Sequence, residues 1–478
     1  MLDPAARAVF AKLSVFRGGF TRQVAEQVAR ATRTILSALV DKSFLRSNAS
    51  GRYEMHELLR QYAEEKLRQS AGYEETRTAH ADYFARWLEE LGAWMRDERS
   101  REALAQIALE WTNVYAMWTR LCQQRDWQNL LTTTHPLYMF CDAVGRFHEG
   151  DRLLRVAEAA LDESAPSLLR ARVLIRRGSL LRKLGQLVEA RQAFETALLL
   201  ARGDSSEDAA ERANTHQHLG SLNYVQGNFT AAKESYSLAL DAWRALHNDK
   251  REVGTLNALG ATEAELDNPA QAREVFKSGI ALAHRMNNVS GLAVLLDSLG
   301  LVERTEGHLT EALRLHEESL VLYRQLGNHI SELNTLINMG DLHYQRGELT
   351  QARQIHEDIL PRARALGGAN QYLICILTTL GQIACDQERF AEARAMLQEA
   401  LVSARATGSE MIILTVLNGI AHQLRAGGHP ADSARLYEFV LQHPAADRFA
   451  RADAQRARAQ ATAHPWPAAG GEQLDAQA

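Results

Sequence analysis

The stretch Leu299–Leu320, LGLVERTEGHLTEALRLHEESL, carries a pattern that returns along most of the chain. A Leu-Gly pair opens it; a large apolar residue, Leu309, stands nine positions after the glycine, and an alanine, Ala312, twelve after it. Leu219-Gly220, Leu259-Gly260 and Leu380-Gly381 repeat the pair, and Arg177-Gly178 and Met339-Gly340 are variants of it. Leu187, Phe229, Leu349 and Phe390 take the apolar place, while Ala190, Ala232, Ala272, Ala352 and Ala393 take the small one. Self-similarity at a period of about forty residues marks an array of stacked supersecondary units.

Each unit reads as two helices separated by a break such as Gln226-Gly227-Asn228, Glu306-Gly307-His308 or Arg346-Gly347-Glu348. The Leu-Gly glycine has no side chain to hold the paired helix away, and the alanine keeps the second helix equally slim. This spacing resembles the tetratricopeptide repeat in the long-linker form of bacterial signalling proteins. The resemblance covers residues 167–442, as six regular units and a C-terminal cap, and implies an all-α, right-handed α-solenoid. The unit at 253–288 departs from the pattern, with Asp267 at the break and Pro269 at the apolar place. Proline is tolerated at a helix start, so this unit is expected to fold. The cap, MIILTVLNGIAHQLRAGGHPADSARLYEFVLQH, carries Gly419 and Ala434 at drifted spacing, as a terminal repeat does when one side faces water.

A solenoid builds one elongated core, so the 478-residue length is no guide to domain count. Abundant Leu, Ala, Arg and Glu with only 9 prolines predict an almost wholly helical chain. No apolar run approaches the roughly 18 residues of a spanning helix, and no signal-peptide core follows Met1, so a soluble, cytoplasmic protein without a membrane partner is expected. Cys122, Cys141, Cys375 and Cys385 lack CxxC spacing and sit in apolar contexts, which argues against a metal site or a disulfide framework. The net charge is −5, yet residues 1–60 hold ten Lys or Arg against five Asp or Glu.

That basic segment opens with an amphipathic helix over 1–15, started by Asp3 and Pro4 and burying Ala6, Val9, Phe10 and Leu13. Thr21 caps a second helix and Thr32 or Thr34 a third, ending near Ser43. Phe44–Arg46 and Tyr53–Met55 then flank the turn-forming residues 47–52 as a hairpin. Three helices and a hairpin make a winged helix, assigned to residues 1–67. The strings LSVFRGGFT, ALVDKSFLR and GRYEMHELLRQYAEEKL resemble, in that order, the winged-helix segment after the nucleotide-binding module of bacterial STAND-type signalling ATPases, relatives of the NB-ARC proteins. The resemblance implies a module that packs on an ATPase core and passes its nucleotide state to the repeats.

Residues 68–166 read as a divergent helical connector or capping region. Its Trp87, Trp94, Trp111, Trp118 and Trp127 are expected in interhelical core, and Gly145–Leu161 resembles a worn second helix of a repeat. Residues 443–478 are expected to hold a short helix over 446–460 and then a disordered tail.

The chemistry of known catalytic motifs is missing. No GxxxxGK[ST] occurs, so the STAND ATPase is expected either upstream of Met1 or lost. His56-Glu57, His148-Glu149, His316-Glu317 and His356-Glu357 lack the second histidine of HExxH, and GxSxG is absent. No cofactor is implied and no enzyme is expected.

First helices of stacked pairs line a concave surface. By the resemblance, positions three before and one, four and five after the Leu-Gly glycine project into it. That set supplies Gln217, Ser221, Tyr224, Asn257, Glu265, Asp297, Arg304, Asp341, Tyr344, Gln345, Gln382 and Asp386 as groove candidates. A polar stripe of this kind suits an extended peptide or partner helix, with Tyr224 and Tyr344 as anchors, or a sugar or peptide metabolite. The leading expectation is a non-enzymatic scaffold or sensor arm of a signal-transduction regulator, with an ATPase as a further partner on the winged helix. A second reading is a transcription regulator whose Arg33, Lys42, Arg46 and Arg52 contact DNA phosphates. Against it, the helix TILSALVDKS offers apolar residues and Asp41 where base readers would stand.

Overall fold

The computed structural model describes residues 2–49, 51–95, 99–368 and 370–463. They form two compact units, Met1–Gly227 and Asn228–Ala478.

The first unit opens with α1 (Pro4–Leu13), where the Asp3 carboxylate accepts from the Ala6 N–H at 2.8 Å and Pro4 pre-sets the first turn. β1 (Phe20–Thr21), α2 (Arg22–Ala29), α3 (Arg33–Asp41), β2 (Arg46–Ser47), β3 (Arg52–Glu54) and α4 (Glu57–Arg68) complete the winged helix. Thr21 and Thr32 cap α2 and α3 through their hydroxyls. The sheet order is β1-β3-β2, antiparallel throughout, with Tyr53 opposite both Phe20 and Ser47. The sequence pattern suggested two strands; the third, β1, exists because Phe20 is drawn inside, its ring 4.7 Å from Phe16 and 6.0 Å from Tyr53. Of the hairpin turn, Ser50 lies outside the described residues.

The connector comprises α5 (Tyr73–Trp94), α6 (Ser100–Leu109), α7 (Trp111–Gln124), α8 (Trp127–Ala143) and α9 (Phe147–Ala160). One apolar core runs from Leu2 in the winged helix to Leu180, without a break at either end of the connector. Trp118 is wholly buried and its indole N–H donates to the Leu153 carbonyl at 2.8 Å, whereas Trp87, Trp94, Trp111 and Trp127 pack at the core margin. The repeat-like segment at Gly145–Leu161 is α9, which packs on α10 (Ser167–Lys183). α11 (Leu187–Leu200) and α12 (Ser206–Val225) finish the unit.

The second unit is a run of helices of near-constant length. These are α13 (Phe229–Ala245), α14 (Asp249–Glu265), α15 (Pro269–Arg285), α16 (Val289–Thr305), α17 (Leu309–Gln325), α18 (His329–Gln345), α19 (Leu349–Ala365), α20 (Gln371–Asp386), α21 (Phe390–Thr407), α22 (Glu410–Ala426) and α23 (Pro430–Gln442), followed by α24 (Arg448–Ala463). The tail expected to be disordered beyond residue 463 lies outside the described residues.

Within the pairs, a Cβ built on the Leu-Gly glycine would sit 2.5–2.9 Å from a side chain of the partner helix. The group pressed there is Phe194 on Gly178, Phe276 on Gly260, His316 on Gly300, His356 on Gly340 and Leu397 on Gly381, each sixteen positions after its glycine. The six alanines are wholly buried. Breaks between paired helices take the left-handed conformation at Gly185, Gly307 and Gly347, and Asp267 adopts it too, with φ 60°. Asp is among the residues that tolerate this region, and Pro269 then serves as the first residue of α15. Turns between successive pairs are closed by a recurring asparagine. Asn248, Asn288, Asn328 and Asn370 each accept a backbone N–H at the start of α14, α16, α18 and α20.

Candidate interaction surface

In the second unit the first helices of successive pairs are joined by a ladder of carboxylates. Asp297 on α16 accepts from the Thr335 hydroxyl of α18 at 3.0 Å and lies 2.8 Å from Nδ1 of His316, the ring that fills the space over Gly300. Asp341 on α18 accepts from the Thr379 hydroxyl of α20 at 2.9 Å and from Arg304 of α16 at 3.3 Å. Asp386 on α20 lies 2.7 Å from His422 Nε2 of α22 and accepts from the Tyr344 hydroxyl of α18 at 2.8 Å. Burial opposes the charge on Asp341, but His356, Arg304 and Thr379 outweigh it and hold the carboxyl below its usual range. Burial likewise opposes Asp386, and His422, Tyr344 and Arg425 overcome it. The Tyr344 phenol is pushed well above its ordinary value by burial and by Asp386 beside it.

These contacts change the meaning of the stripe read from the sequence. Positions three before the glycine were expected to face solvent or ligand, yet Asp297 is buried, as are Ile175, Ile337 and Thr378 at the equivalent places. They face the helix–helix contact because a residue three positions from a close-packed glycine shares its face of the helix. Arg304, also expected to be open, is buried between Asp341 and the ring of Phe449, 5.1 Å from its guanidinium carbon. Glu265, Asp341, Tyr344, Gln345, Asn257 and Gln382 are half-buried, and Asp386 is the most open of the second-unit set. Gln217, Ser221 and Tyr224 belong to α12 of the first unit and are half-buried there.

The surface also has an occupant. α24 does not continue the stack; it reaches back to helices far earlier in the unit. Arg448 pairs with Glu265 of α14 at 3.3 Å, and Phe449 lies under Arg304 of α16. The Ala450 carbonyl accepts from Asn418 Nδ2 of α22 at 2.8 Å, and the Ala457 carbonyl from Arg425 at 3.4 Å. Ala446, Ala450 and Ala454, four residues apart, are buried against Leu414, Ala421, Tyr437 and Val440.

In the first unit the four cations proposed to contact DNA separate. Arg33, Lys42 and Arg46 are exposed on α3 and around β2. Arg52 is not on an open wing: it is buried in β3 and paired with Glu110 at the α6–α7 junction, so its charge is spent inside the protein. Glu110 also accepts from Asn113 Nδ2 at 2.6 Å. Asn113, wholly buried, further accepts from the Arg17 N–H at 2.7 Å, donates to the Gly19 carbonyl at 3.2 Å and lies 3.3 Å from His80 Nε2. Gly18 and Gly19 permit this clasp through φ values of 80° and 97°. Burial lowers the His80 pKa to about 4, although Asn113 opposes the shift. Beside this joint is a cavity of about 630 Å³ lined by Arg17, Arg68, Arg77, Arg120, Tyr73 and Trp111. Four of its cations are met by carboxylates: Glu64 faces Arg17 and Arg68, and Glu74 faces Arg77 and Arg120.

Among the described residues no group of His, Cys, Asp or Glu is placed to hold a metal ion, and no helix is long and apolar enough to cross a membrane. The cysteines form no disulfide, and burial pushes the Cys122 and Cys141 thiols up to about 12.

A tetratricopeptide repeat model matches residues 211–284 and 291–365, two more match 171–204 and 376–407, and a winged helix-turn-helix domain model matches 2–68. The regulatory protein AfsR of Streptomyces coelicolor is 24% identical over 322 residues, which is 61% of this chain and 32% of AfsR. The chain thus spans about a third of the length of that relative. Among solved structures, a signal transduction ATPase with numerous domains (STAND) protein with a tetratricopeptide repeat sensor, from Pyrococcus horikoshii, is similar over 84% of this chain and 63% of its own, with 13% identity and a TM-score of 0.48. The apo form of the quorum sensor NprR from B. thuringiensis is similar over 73% and 96%, with 16% identity and a TM-score of 0.51.

Proposed function

Because the chain is a tetratricopeptide-repeat protein with an N-terminal winged helix, we propose that it is the non-enzymatic interaction or sensor arm of a bacterial signal-transduction regulator. The repeats of the second unit take a protein or peptide partner on their first-helix face. The observation that carries this reading is that Glu265, Arg304, Asn418 and Arg425 already hold a helix there, through an ion pair, a cation–π contact and two hydrogen bonds to main-chain carbonyls. A surface that grips backbone and charge together is a recognition surface. The similarity to a regulatory protein and, in fold, to a quorum sensor supports the regulatory part. In this reading residues 1–67, 68–166, 167–442 and 443–478 differ in role, and the winged helix is the joint to an ATPase.

Partner capture from the source cell tests it, comparing the wild type with Tyr344→Ala and Asp386→Ala, whose side chains meet at 2.8 Å on this face. A partner retained by the wild type and lost by both variants is the expected result; indifference to both variants sinks the groove as the binding surface. DNA contact has weaker support, since Arg33, Lys42 and Arg46 remain exposed but Arg52 does not. Duplex binding by the full chain that weakens as salt rises and is lost on Arg33→Ala/Arg46→Ala would establish it.

A further inference from the structure

We infer that the first-helix face of the second unit is a receptor for an amphipathic α-helix, and that α24 is its resident occupant, displaced when the partner binds. The inference rests on the groove-binding reading above and names the partner's chemistry and the regulation of the site.

A C-terminal helix that merely capped the stack would touch only the neighbouring pair, because each unit of a solenoid contacts its neighbours alone. α24 meets that pair through Asn418, Arg425 and Tyr437, but it also meets Glu265 on α14 and Arg304 on α16. It therefore lies across the face along which the first helices follow one another. Its own sequence suits the place. Arg448 and Phe449 begin the helix and meet a carboxylate and a guanidinium, while Ala450 and Ala454 on the helix, with Ala446 in the loop before it, form a patch of small residues that lets the backbone approach Tyr437 and Leu414. Asp453 is drawn into the same region and is paired within its own helix by Arg456.

The attachment is built to be reversible. The loop between α23 and α24 spans only residues 443–447, so the helix is presented at an effective concentration of the order of millimolar, and weak contacts suffice to seat it. The contacts are few and polar at both ends, and apolar burial comes mainly from alanines. A free helix with an Arg-aromatic start and larger apolar residues at the places of Ala450 and Ala454 would bury more surface than α24 does. The partner is thus a helix of that pattern on another protein.

The test uses the full chain with a site-specific protease sequence inserted at Pro444–Ala445 and a fluorescent peptide of residues 443–463. After cleavage and removal of the released segment, the peptide is expected to bind at least about tenfold more tightly than to the uncut chain. An R448E/F449A peptide is expected to lose at least about tenfold of that affinity. Uncut chain carrying Arg448→Glu and Phe449→Ala, with helicity checked by circular dichroism, is expected to accept the wild-type peptide as the cut chain does. Equal binding by cut and uncut protein, or binding by neither, overturns the inference. Partner capture in the groove-variant experiment reads Tyr344 and Asp386, neither of which carries the α24 contacts named here, so the two results are distinguishable.

Discussion

The two units solve the same problem, how to tie helices together through polar side chains, in opposite ways. In the first, a single clasp does it: Asn113 joins Arg17, Gly19, Glu110 and His80, and Glu110 neutralises Arg52. In the second, one rung repeats: Asp297, Asp341 and Asp386 each take a hydrogen-bonding side chain from the next first helix. A clasp concentrates many partners on one residue, so the loss of that residue is felt throughout the joint. A ladder spreads them, so the loss of a rung is local and the face stays adjustable. That contrast fits a rigid junction within the first unit and, within the second, a face suited to the helix exchange proposed for it.

The largest expected effect breaks the clasp. Arg52→Ala leaves Glu110 buried without its cation, and loss of one partner from such a pair costs about 3–5 kcal/mol. Hydrogen exchange across a urea series should show it in α1–α9 and leave the α13–α23 amides in place; a loss of protection in both together would contradict a clasp confined to the first unit.

Next comes pH. Buried His80 has its pKa lowered to about 4 from 6.5, so the unfolded chain binds the proton first. Its contribution is whole above pH 6.5 and is lost as pH falls towards 4, a change of roughly 3 kcal/mol. Asp341 and Asp386 sit below their usual range, so their contribution persists until pH falls through the ordinary carboxylate range and below it. Acid titration should therefore loosen the first unit before the second, and the reverse order would contradict the assignment.

A third prediction sharpens the repeat side. Gly300→Ala drives a methyl to 2.9 Å from the His316 ring that Asp297 holds, an overpacking cost of about 1–3 kcal/mol. Gly347→Ala, in open space but at φ 78°, should cost about 1–2 kcal/mol through backbone strain alone. Thermal melts of the two variants separate packing from conformation. The smallest effect is at the exposed pair Arg314–Glu311 on α17, where Arg314→Ala should change stability by less than about 0.5 kcal/mol.

These positions also separate what was legible in the sequence from what was not. The Leu-Gly pairs and the buried alanines are local signals at fixed spacing, and they gave the repeats directly. The side chain over each glycine was equally periodic, but it varies among Phe, His and Leu, so no one residue type flagged it. The asparagines at 248, 288, 328 and 370 were a visible capping signal that the glycine pattern overshadowed. Arg52 with Glu110, and Asn113 with Gly19, lie 58 and 94 residues apart, beyond the reach of any periodicity. The short helix near 446–460 was evident from composition, but a helical pattern states only that a face is apolar, not which earlier helix will cover it.

The occupied first-helix face depends on α24, and hydrogen exchange of the full chain at residues 448–459 tests that seating most directly. If the helix is seated on the first-helix face, its amides exchange slowly in the wild type and speed up in Arg304→Ala and Asn418→Ala, whose partners on α24 are Phe449 and the Ala450 carbonyl. Exchange in the wild type as fast as in an unstructured peptide would contradict the occupied groove and, with it, the helix as the chemistry of the partner.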